Sequence, residues 1–536
     1  MDFNIADCLD AVAEINAESE ALVQGERSLS WREVERRAAN VAAWMKQQGA
    51  SHGGKVAVYT YNHPAYMEAC YAAMKVAMVP VNVNYRYREE ELRYLLDNSD
   101  AEVVVVHTDF APILARIVGE LPKIRAVLLV GDEEGDTAGL PKVARYEDVA
   151  DGSFEPAAVP RSGDDLLFLY TGGTTGMPKG VMWRQADLYR RLAGGGLFPP
   201  PADMEAFRQF AANPPIRMRT LVGPPLMHGT GWFTAIIAWL GGGTVIVADD
   251  PKHFHPGDFF RTVERTKPTT ITIVGDSFAK PMLRELDRGE PKYDLSSVNI
   301  ITSSGVMWSE DTKQGLLKHA PQLMLVDSFS SSEALGMGLS ITTAAGVVQT
   351  GKFQLTDTTR LFGEDLKPLE SSPGVKGLVG VGGPQPVGYY KDPEKSARTF
   401  VPHGSDRYSI PGDWAVVNDD GKTLTLLGRG SVCINTGGEK VFPEEVEEVI
   451  KRYPGVKDVV VVGVPDERFG EAITAVCSSL GEPLDSTALI AFVKEHLAGY
   501  KAPKHVVQVD EVYRSPSGKA DFKRTKQTAL EALHIS

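Results

Sequence analysis

Strand-like and helix-like segments alternate along the first 130 residues of the chain. Apolar runs typical of buried strands occupy residues 56–59, 79–83 and 103–106, and helical apolar patterns separate them at residues 64–76 and 89–96. Strands separated by helices of this length form parallel sheets with right-handed crossovers, because each helix must pack on a face of the sheet. The sequence therefore predicts an α/β fold with a doubly wound sheet.

The remainder of the chain predicts a second, smaller unit. Further strands are expected at residues 166–170, 181–183, 220–223, 244–248, 270–274, 300–303 and 323–326. Between about residues 377 and 427 helices nearly vanish, which predicts an antiparallel subdomain. After a glycine-rich hinge at residues 428–431 we expect a compact α+β unit, with helices at 443–451 and 486–497 and strands at 458–462, 472–477 and 506–509. We therefore predict a large N-terminal domain at residues 1–428 and a small C-terminal domain at residues 429–536.

Charge and composition exclude several classes of protein. A net charge of -14 argues against nucleic-acid binding, since phosphate backbones repel such a surface. No apolar run approaches the length of a membrane span and residues 1–4 do not resemble a signal peptide, so we expect no integral membrane segment and a cytoplasmic location. The cysteines lack metal-ligand spacing, which predicts reduced, partly buried thiols at Cys8, Cys70, Cys433 and Cys477. These patterns leave the oligomeric state open, a homodimer included.

A glycine- and threonine-rich stretch at residues 170–181, Y-T-G-G-T-T-G-M-P-K-G-V, joins two of the predicted strands. Glycines let backbone N–H groups converge on an anion, threonine hydroxyls add donors, and Lys179 supplies a positive charge. A plain hairpin is the simplest alternative. A P-loop does not fit, because Gly180 stands where that motif has a magnesium-binding hydroxyl. The stretch therefore predicts a phosphate-binding loop of another kind.

The stretch resembles the signature Y-T-S-G-T-T-G-x-P-K-G of the adenylate-forming superfamily, which includes acyl-CoA synthetases, luciferases and peptide-synthetase adenylation domains. Only Gly172, where serine is usual, departs from it. The resemblance implies ATP as a substrate and a grip on its β- and γ-phosphates by the loop, through Thr171, Gly173, Thr174, Thr175, Gly176 and Lys179.

Later motifs follow in the order that this superfamily has. Residues 329–333, F-S-S-S-E, stand where relatives have Y-G-x-T-E, and Y-S-I-P-G-D at residues 408–413 stands for Y-x-T-G-D. The resemblance implies that Glu333 binds Mg²⁺, which needs few protein ligands. It also implies the nucleotide contacts: adenine at Asp327 and Phe329, the α-phosphate at Ser332, the ribose at Asp413, ribose or phosphate at Arg429, and a further candidate at Gly305.

The C-terminal motifs imply a second substrate, coenzyme A. Residues 437–447, G-G-E-K-V-F-P-E-E-V-E, resemble the acyl-CoA synthetase form, in which Gly437 and Gly438 leave room for the pantetheine arm. Lys519, in R-S-P-S-G-K, would neutralise charge between carboxylate and α-phosphate. The resemblance further implies that the small domain is mobile and rotates near Arg429 to Ser431 between the two half-reactions, although relatives usually have Asp or Lys at the position of Ser431.

Substrate identity follows from weaker signals. His228 corresponds to a superfamily position at the inner wall of the acyl site, but a lone histidine is more often a packed core residue. The candidate acyl-pocket residues are mostly apolar and lie at positions 231–233, 236, 237, 274, 278, 305, 307 and 335. Several stretches look closest to bacterial synthetases for long-chain fatty acids or steroid side-chain acids, so we predict a hydrophobic carboxylic acid. His253 and His255 have no third metal ligand in view in the sequence and are predicted to be surface residues.

Two alternatives remain at this point. One is an enzyme that makes acyl-AMP for a carrier protein or for light emission instead of for CoA. The other is a nucleotide-binding protein without turnover, against which the joint presence of Glu333, Asp413, Arg429 and Lys519 argues. Release of pyrophosphate that depends on added acid, with and without CoA, distinguishes the three.

Overall fold

The computed structural model describes residues 3–131, 137–155, 157–171, 177–193, 195, 198–346, 348–436, 439–466, 469–497, 499–515 and 518–535. The chain forms two compact units. The first unit comprises Met1–Gly336, Ile341–Val347 and Gly382–Ser409, and the second unit comprises Met337–Ser340, Val348–Val381 and Ile410–Ser536. The residues that flank the predicted phosphate loop and the predicted magnesium ligand Glu333 belong to the first unit.

Helices and strands alternate over the first 342 residues. Up to residue 150 the elements are α1 (Ile5–Ile15), β1 (Glu20–Gln24), β2 (Arg27–Ser30), α2 (Trp31–Gln47), β3 (Lys55–Tyr59), α3 (Pro64–Lys75), β4 (Val79–Asn82), α4 (Glu89–Ser99), β5 (Ala101–His107), α5 (Ala111–Ile117), β6 (Ala126–Val130), β7 (Val143–Arg145) and α6 (Tyr146–Ala150). They are followed by β8 (Leu166–Thr171), β9 (Lys179–Arg184), α7 (Gln185–Leu192), α8 (Met204–Ala212), β10 (Arg219–Val222), α9 (Gly229–Leu240), β11 (Thr244–Val247), α10 (Pro256–Thr266), β12 (Thr270–Ile273), α11 (Gly275–Asp287), β13 (Ile300–Ser304), α12 (Glu310–His319), β14 (Met324–Phe329) and β15 (Gly338–Thr342).

The rest of the chain is richer in short strands. Its elements are β16 (Lys352–Gln354), β17 (Thr359–Phe362), β18 (Lys376–Val381), β19 (Gly388–Tyr389), α13 (Pro393–Thr399), β20 (Phe400–His403), β21 (Asp406–Ser409), β22 (Asp413–Val417), β23 (Thr423–Arg429), β24 (Ile434–Thr436), β25 (Glu439–Val441), α14 (Pro443–Ile450), β26 (Val456–Asp466), β27 (Gly470–Ser479), α15 (Ser486–His496), β28 (His505–Gln508) and α16 (Phe522–Ala532).

Two largely parallel sheets form the first unit. One has the order β19-β9-β8-β4-β3-β5-β6-β7, in which β9 is antiparallel to its neighbours β8 and β19 and all other neighbouring strands are parallel. In the other, β1, β11, β10, β12, β13 and β14 run parallel in that order, and β2 pairs with β1 at one edge. Helices α1, α2, α3 and α9 share one apolar core with both sheets. The opposite faces pack against α4 and α5 in one sheet and against α10, α11 and α12 in the other. Helices on both faces of each sheet confirm the doubly wound α/β prediction.

The second unit contains antiparallel strands and a small α+β region. Strand β23 pairs antiparallel with β16 and β22, and β18 pairs antiparallel with β17 and β22. Later in the chain, β26 and β27 form a long antiparallel ladder, and β24 and β28 both pair with β27. Residues of α14, α15 and α16 contribute to the apolar clusters of this region. The prediction of a large α/β part with an antiparallel subdomain, followed by a small α+β part, is thus confirmed.

Two further expectations concern single features. All four cysteines are free thiols; Cys8, Cys70 and Cys477 are buried and Cys433 is half-buried. Within the described ranges, no helix combines the length and the apolar character that crossing a bilayer requires.

Candidate functional site

The predicted phosphate loop connects the antiparallel strands β8 and β9, whose last pair joins Thr171 to Lys179. The buried Asn82 holds the start of this loop, because its side-chain amide donates to the Tyr170 carbonyl at 2.9 Å and its oxygen accepts from the Tyr170 amide at 2.6 Å. The same amide group donates to the Met227 carbonyl at 2.6 Å. Gly173, Thr174, Thr175 and Gly176 lie outside the described residues, so their predicted contacts stay predictions.

Lys179 lies beside a carboxylate and an aromatic ring. Its Nζ forms an ion pair with the Asp392 carboxylate. The same atom lies 5.9 Å from the centroid of the Tyr389 ring. Strand β19, which contains Tyr389, pairs with β9, so this ring is fixed next to the loop. A phosphate group that binds Lys179 would therefore compete with the Asp392 carboxylate for this lysine.

Glu333 is held by the same neighbourhood. Its carboxylate Oε1 accepts a hydrogen bond of 2.9 Å from the Tyr389 hydroxyl, and its carbonyl accepts one of 2.8 Å from the Ser409 hydroxyl. The Trp183 indole on β9 donates to the carbonyl of Ser332 at 3.0 Å. Glu333 is only 9% exposed. Its carboxylate offers oxygen ligands, which suit a hard cation such as Mg²⁺. The structure thus brings Lys179, Ser332 and Glu333 into one cluster around β9 and Tyr389.

Asp327 has a buried cationic partner that the sequence did not indicate. The carboxylate lies on β14, two residues before the buried Phe329, and its Oδ2 is 3.3 Å from Lys313 Nζ. Lys313, on α12, is itself buried and lies 5.5 Å from the centroid of the Trp308 ring. Burial raises the pKa of Asp327 to about 6, against the opposing effect of the Lys313 charge. Asp327 can therefore change protonation state close to physiological pH.

The other first-unit candidates lie at the ends of parallel strands. His228 is half-buried and is the N-cap residue of α9, the helix that carries the apolar candidates Trp232, Phe233 and Ile236. The buried Asn62 fixes the preceding segment by donating to the Pro224 carbonyl at 2.9 Å and accepting from the Leu226 amide at 2.6 Å. Gly305 follows β13 directly and has φ +92°, in the region that favours glycine.

Asp413 and Arg429 meet in the second unit. They are paired residues of β22 and β23, and Arg429 Nε lies 3.3 Å from Asp413 Oδ1. The other oxygen, Oδ2, is buried and has no hydrogen-bond partner among the residues that the structure describes. A buried carboxylate oxygen without a donor is costly. It is thus suited to accept hydrogen bonds from a ligand's hydroxyl groups, as the ribose prediction requires.

Glu444 is a half-buried residue next to the predicted hinge, and its carboxyl Oε2 is enclosed. Gly428 has φ +130°, and a Cβ at this glycine would lie 2.1 Å from Glu444 Oε2. Burial, together with the negative charges of Glu447 and Asp413, raises the pKa of Glu444 to about 8. Glu444 is therefore a neutral, protonated group of the fold at pH 7.

We predict that Glu444→Gln makes the chain more stable at pH 9. The folded pKa is raised, so wild-type stability should fall as pH rises from the ordinary value of 4.5 through about 8. Glutamine has nearly the same shape as protonated glutamate and carries no charge at any pH. We therefore expect the free energy of unfolding to be higher by roughly 2–4 kcal/mol at pH 9, with a difference that shrinks toward pH 5. Calorimetric unfolding of both proteins between pH 5 and pH 9 measures this difference in stability. The exposed Glu482→Gln is the control. A gain that is independent of pH would contradict the assignment.

Lys519 is exposed, and its backbone is hydrogen-bonded to Ser515. The Ser515 amide donates to the Lys519 carbonyl at 2.7 Å, and the Gly518 amide donates to the Ser515 carbonyl at 2.8 Å. Arg514, the residue before Ser515, donates two hydrogen bonds to Asp458, of 2.6 and 2.8 Å. Burial alone would raise the pKa of Asp458, but the Arg514 guanidinium lowers it below its usual range. The described residues before Lys519 are thus held by hydrogen bonds, whereas Gly437 and Gly438 lie outside the described residues.

The chain is similar to known protein families, to curated proteins and to solved structures. Residues 9–390 match the family described as AMP-binding enzyme, and residues 445–519 match AMP-binding enzyme C-terminal domain. A 3-oxocholest-4-en-26-oate–CoA ligase of Rhodococcus rhodochrous is 38% identical, covering 99% of this chain and 97% of its own. A medium/long-chain-fatty-acid–CoA/3-oxocholest-4-en-26-oate–CoA ligase of Mycobacterium tuberculosis is 38% identical over 98% and 96%.

Among solved structures, an anthranilate CoA ligase in complex with anthranoyl-AMP superimposes with a TM-score of 0.82. It covers 99% of this chain and 98% of its own at 20% identity. At this identity the similarity shows a shared fold.

Proposed function

Because the chain belongs to the family of AMP-binding enzymes, we propose that it is an ATP-dependent acyl-CoA synthetase. Its substrate in this proposal is a hydrophobic carboxylic acid, either a long-chain fatty acid or a steroid side-chain acid. The observation that carries the proposal is the end-to-end similarity to ligases whose names specify such acids. The mostly apolar candidates on and around α9, such as Trp232, Phe233 and Ile236, support it.

The proposed reaction has two halves. A carboxylate oxygen attacks the α-phosphorus of ATP, the bond to the β-phosphate breaks, and pyrophosphate leaves. The CoA thiolate then attacks the acyl carbon of the acyl-AMP and AMP leaves. Adenylation is needed because an oxide ion is a poor leaving group, whereas AMP is a good one.

Each predicted residue has a defined task in this proposal. Lys179 and Thr171, with the loop between residues 172 and 176, hold the phosphates that leave, and Ser332 contacts the α-phosphate. The carboxylate of Glu333 would hold Mg²⁺, which supplies charge neutralisation at the phosphates when bound. The ribose hydroxyls bind Asp413, whose buried Oδ2 offers an acceptor, next to Arg429. His228 forms part of the inner wall of the acyl site in this proposal.

The remaining tasks belong to the C-terminal part of the chain. Lys519 neutralises charge in the first half-reaction, and Gly437 and Gly438 admit the pantetheine arm in the second. The division between residues 1–428 and 429–536 is compatible with the two family regions, of which the first ends at residue 390 and the second begins at residue 445. We place the enzyme in the cytoplasm; light scattering on the purified chain distinguishes a monomer from a homodimer.

Pyrophosphate release tests this proposal. We expect release that depends on added acid and, with CoA present, equal amounts of pyrophosphate and thioester. Release without thioester would instead indicate an enzyme that delivers acyl-AMP to another acceptor. No release with any acid would indicate a nucleotide-binding protein without turnover.

We predict that the KM for ATP rises at acidic pH because of Asp327. Its pKa of about 6 means that lowering the pH from 7 to 5 protonates the carboxylate that accepts from the adenine amino group in this proposal. About one tenth of a group with that pKa remains ionised at pH 5, so we expect up to a tenfold rise. Initial rates at saturating acid and CoA measure it.

Asp327→Asn is the matched variant, because it keeps the size of the side chain and a neutral acceptor oxygen. Its KM should be raised at pH 7 and should change little between pH 7 and 5 apart from the titration of ATP itself. Identical pH profiles for the variant and the wild type would exclude Asp327 from nucleotide binding.

A further inference from the structure

His253 and His255 lie in a surface segment of the first unit that precedes α10. Between them Phe254 is half-buried, with its ring centroid 4.5 Å from that of Phe278 and 5.3 Å from that of Phe259. Because Phe254 packs against this apolar cluster, the residues on either side of it are both left on the surface. The two imidazole rings are exposed, as the sequence predicted, and their centroids are 6.0 Å apart.

A third ligand, which the sequence did not indicate, comes from Asp250. Its Oδ1 accepts hydrogen bonds from the backbone amides of Lys252 at 2.8 Å and His253 at 3.2 Å, which fixes the carboxylate. The other oxygen, Oδ2, lies 3.5 Å from His253 Nδ1. One ligand atom from each of Asp250, His253 and His255 lies within 4.8 Å of the others. In a tetrahedral zinc site such atoms are about 3.4 Å apart, so small side-chain rotations would close the set.

Nearby cations are directed to other partners. The Nζ of Lys252 lies 2.7 Å from Asp109 Oδ2, and Arg265 forms an ion pair of 2.5 Å with Asp249.

We propose that Asp250, His253 and His255 form a surface site for a borderline divalent transition-metal ion, with Zn²⁺ as the preferred ion. Two imidazole nitrogens and one carboxylate oxygen suit such ions better than Mg²⁺, which prefers oxygen ligands only. Three protein ligands leave one position of a tetrahedral ion open to solvent. The three ligands of this site do not include Glu333, the predicted Mg²⁺ ligand.

Zinc titration of the full chain tests the site. The metal-free protein is titrated with Zn²⁺ against a chromophoric chelator, without nucleotide and with excess Mg²⁺ to saturate oxygen-only sites. We expect one Zn²⁺ per chain, and an affinity that is lower by roughly 100-fold or more in His253→Ala/His255→Ala. Asp250→Asn should weaken binding by roughly tenfold or more.

His319→Ala is the matched control, because His319 is also at the surface and lies 2.7 Å from a carboxylate, that of Asp287, but belongs to no three-ligand group in the described chain. It should bind Zn²⁺ like the wild type. Co²⁺ provides a second readout: its visible absorption should appear with the wild type and disappear with the double variant. Absence of saturable Zn²⁺ binding by the wild type, or equal affinity in the double variant, would overturn the proposal.

Discussion

Replacing Lys519 by alanine is expected to lower the rate of acyl-AMP formation by roughly 10²- to 10³-fold. The reason is that in the proposed reaction this lysine neutralises charge that develops between the attacking carboxylate and the α-phosphate. Thioester formation from supplied acyl-AMP should stay close to the wild-type rate, since supplied acyl-AMP bypasses the step in which the lysine acts. Pyrophosphate release measures the first half-reaction, and thioester formation from synthetic acyl-AMP measures the second.

Lys523→Ala is the control for this experiment. Lys523 is exposed on α16, four residues after Lys519, so it tests whether any lost positive charge in this region has the same effect. We expect adenylation rates within about twofold of the wild type, since an exposed charge contributes little. Loss of both half-reactions in Lys519→Ala would contradict the proposed division of labour.

The second large effect is expected for Glu333→Gln, which should lower adenylation by roughly 10²-fold or more. Glutamine keeps the size of the side chain and an acceptor oxygen for the Tyr389 hydroxyl, but it removes the negative charge that Mg²⁺ requires. The measurement is pyrophosphate release as a function of Mg²⁺ concentration. We expect the half-saturating Mg²⁺ concentration to rise in the variant.

Tyr389→Phe separates the charge of Glu333 from its positioning. It removes the hydroxyl that donates to Glu333 Oε1 but leaves the carboxylate in place. One hydrogen bond to a charged group accounts for about 1.5–3 kcal/mol, so we expect a loss of roughly tenfold or more that stays below that of Glu333→Gln. An unchanged Mg²⁺ dependence in Glu333→Gln would contradict the assignment of the metal ligand.

Much of the fold could be predicted because it depends on local patterns. The alternation of apolar strands and amphipathic helices is visible over short windows, and its consequence, a parallel sheet with helices on both faces, is general. The ends of elements were harder. Strands were predicted at residues 458–462 and 472–477, whereas β26 covers Val456–Asp466 and β27 covers Gly470–Ser479, because mutual pairing extends a strand past residues such as Pro465 that discourage it locally.

The candidate site could be predicted only where a motif points to it. Glu333, Asp327 and Asp413 stand in recognisable motifs, but their partners do not. Tyr389 is 56 residues from Glu333, and Asp392 is 213 residues from Lys179, so tertiary folding alone brings them together. Lys313 gave no signal either, since a lysine in a helical pattern is ordinarily exposed. Asp250 is only three residues before His253 in the sequence. Its position beside the imidazole of His253, however, depends on the turn that its carboxylate caps.

The most direct test of the proposed function is a comparison of acids of different size in one assay. The purified chain is given ATP, Mg²⁺ and CoA with acetate, a long-chain fatty acid or a steroid side-chain acid, and the acyl-CoA product is quantified by mass spectrometry. We expect kcat/KM for at least one of the hydrophobic acids to exceed that for acetate by roughly 10²-fold or more, because apolar contacts accumulate with each buried methylene group. Equal turnover of acetate and the hydrophobic acids would contradict the proposed substrate class.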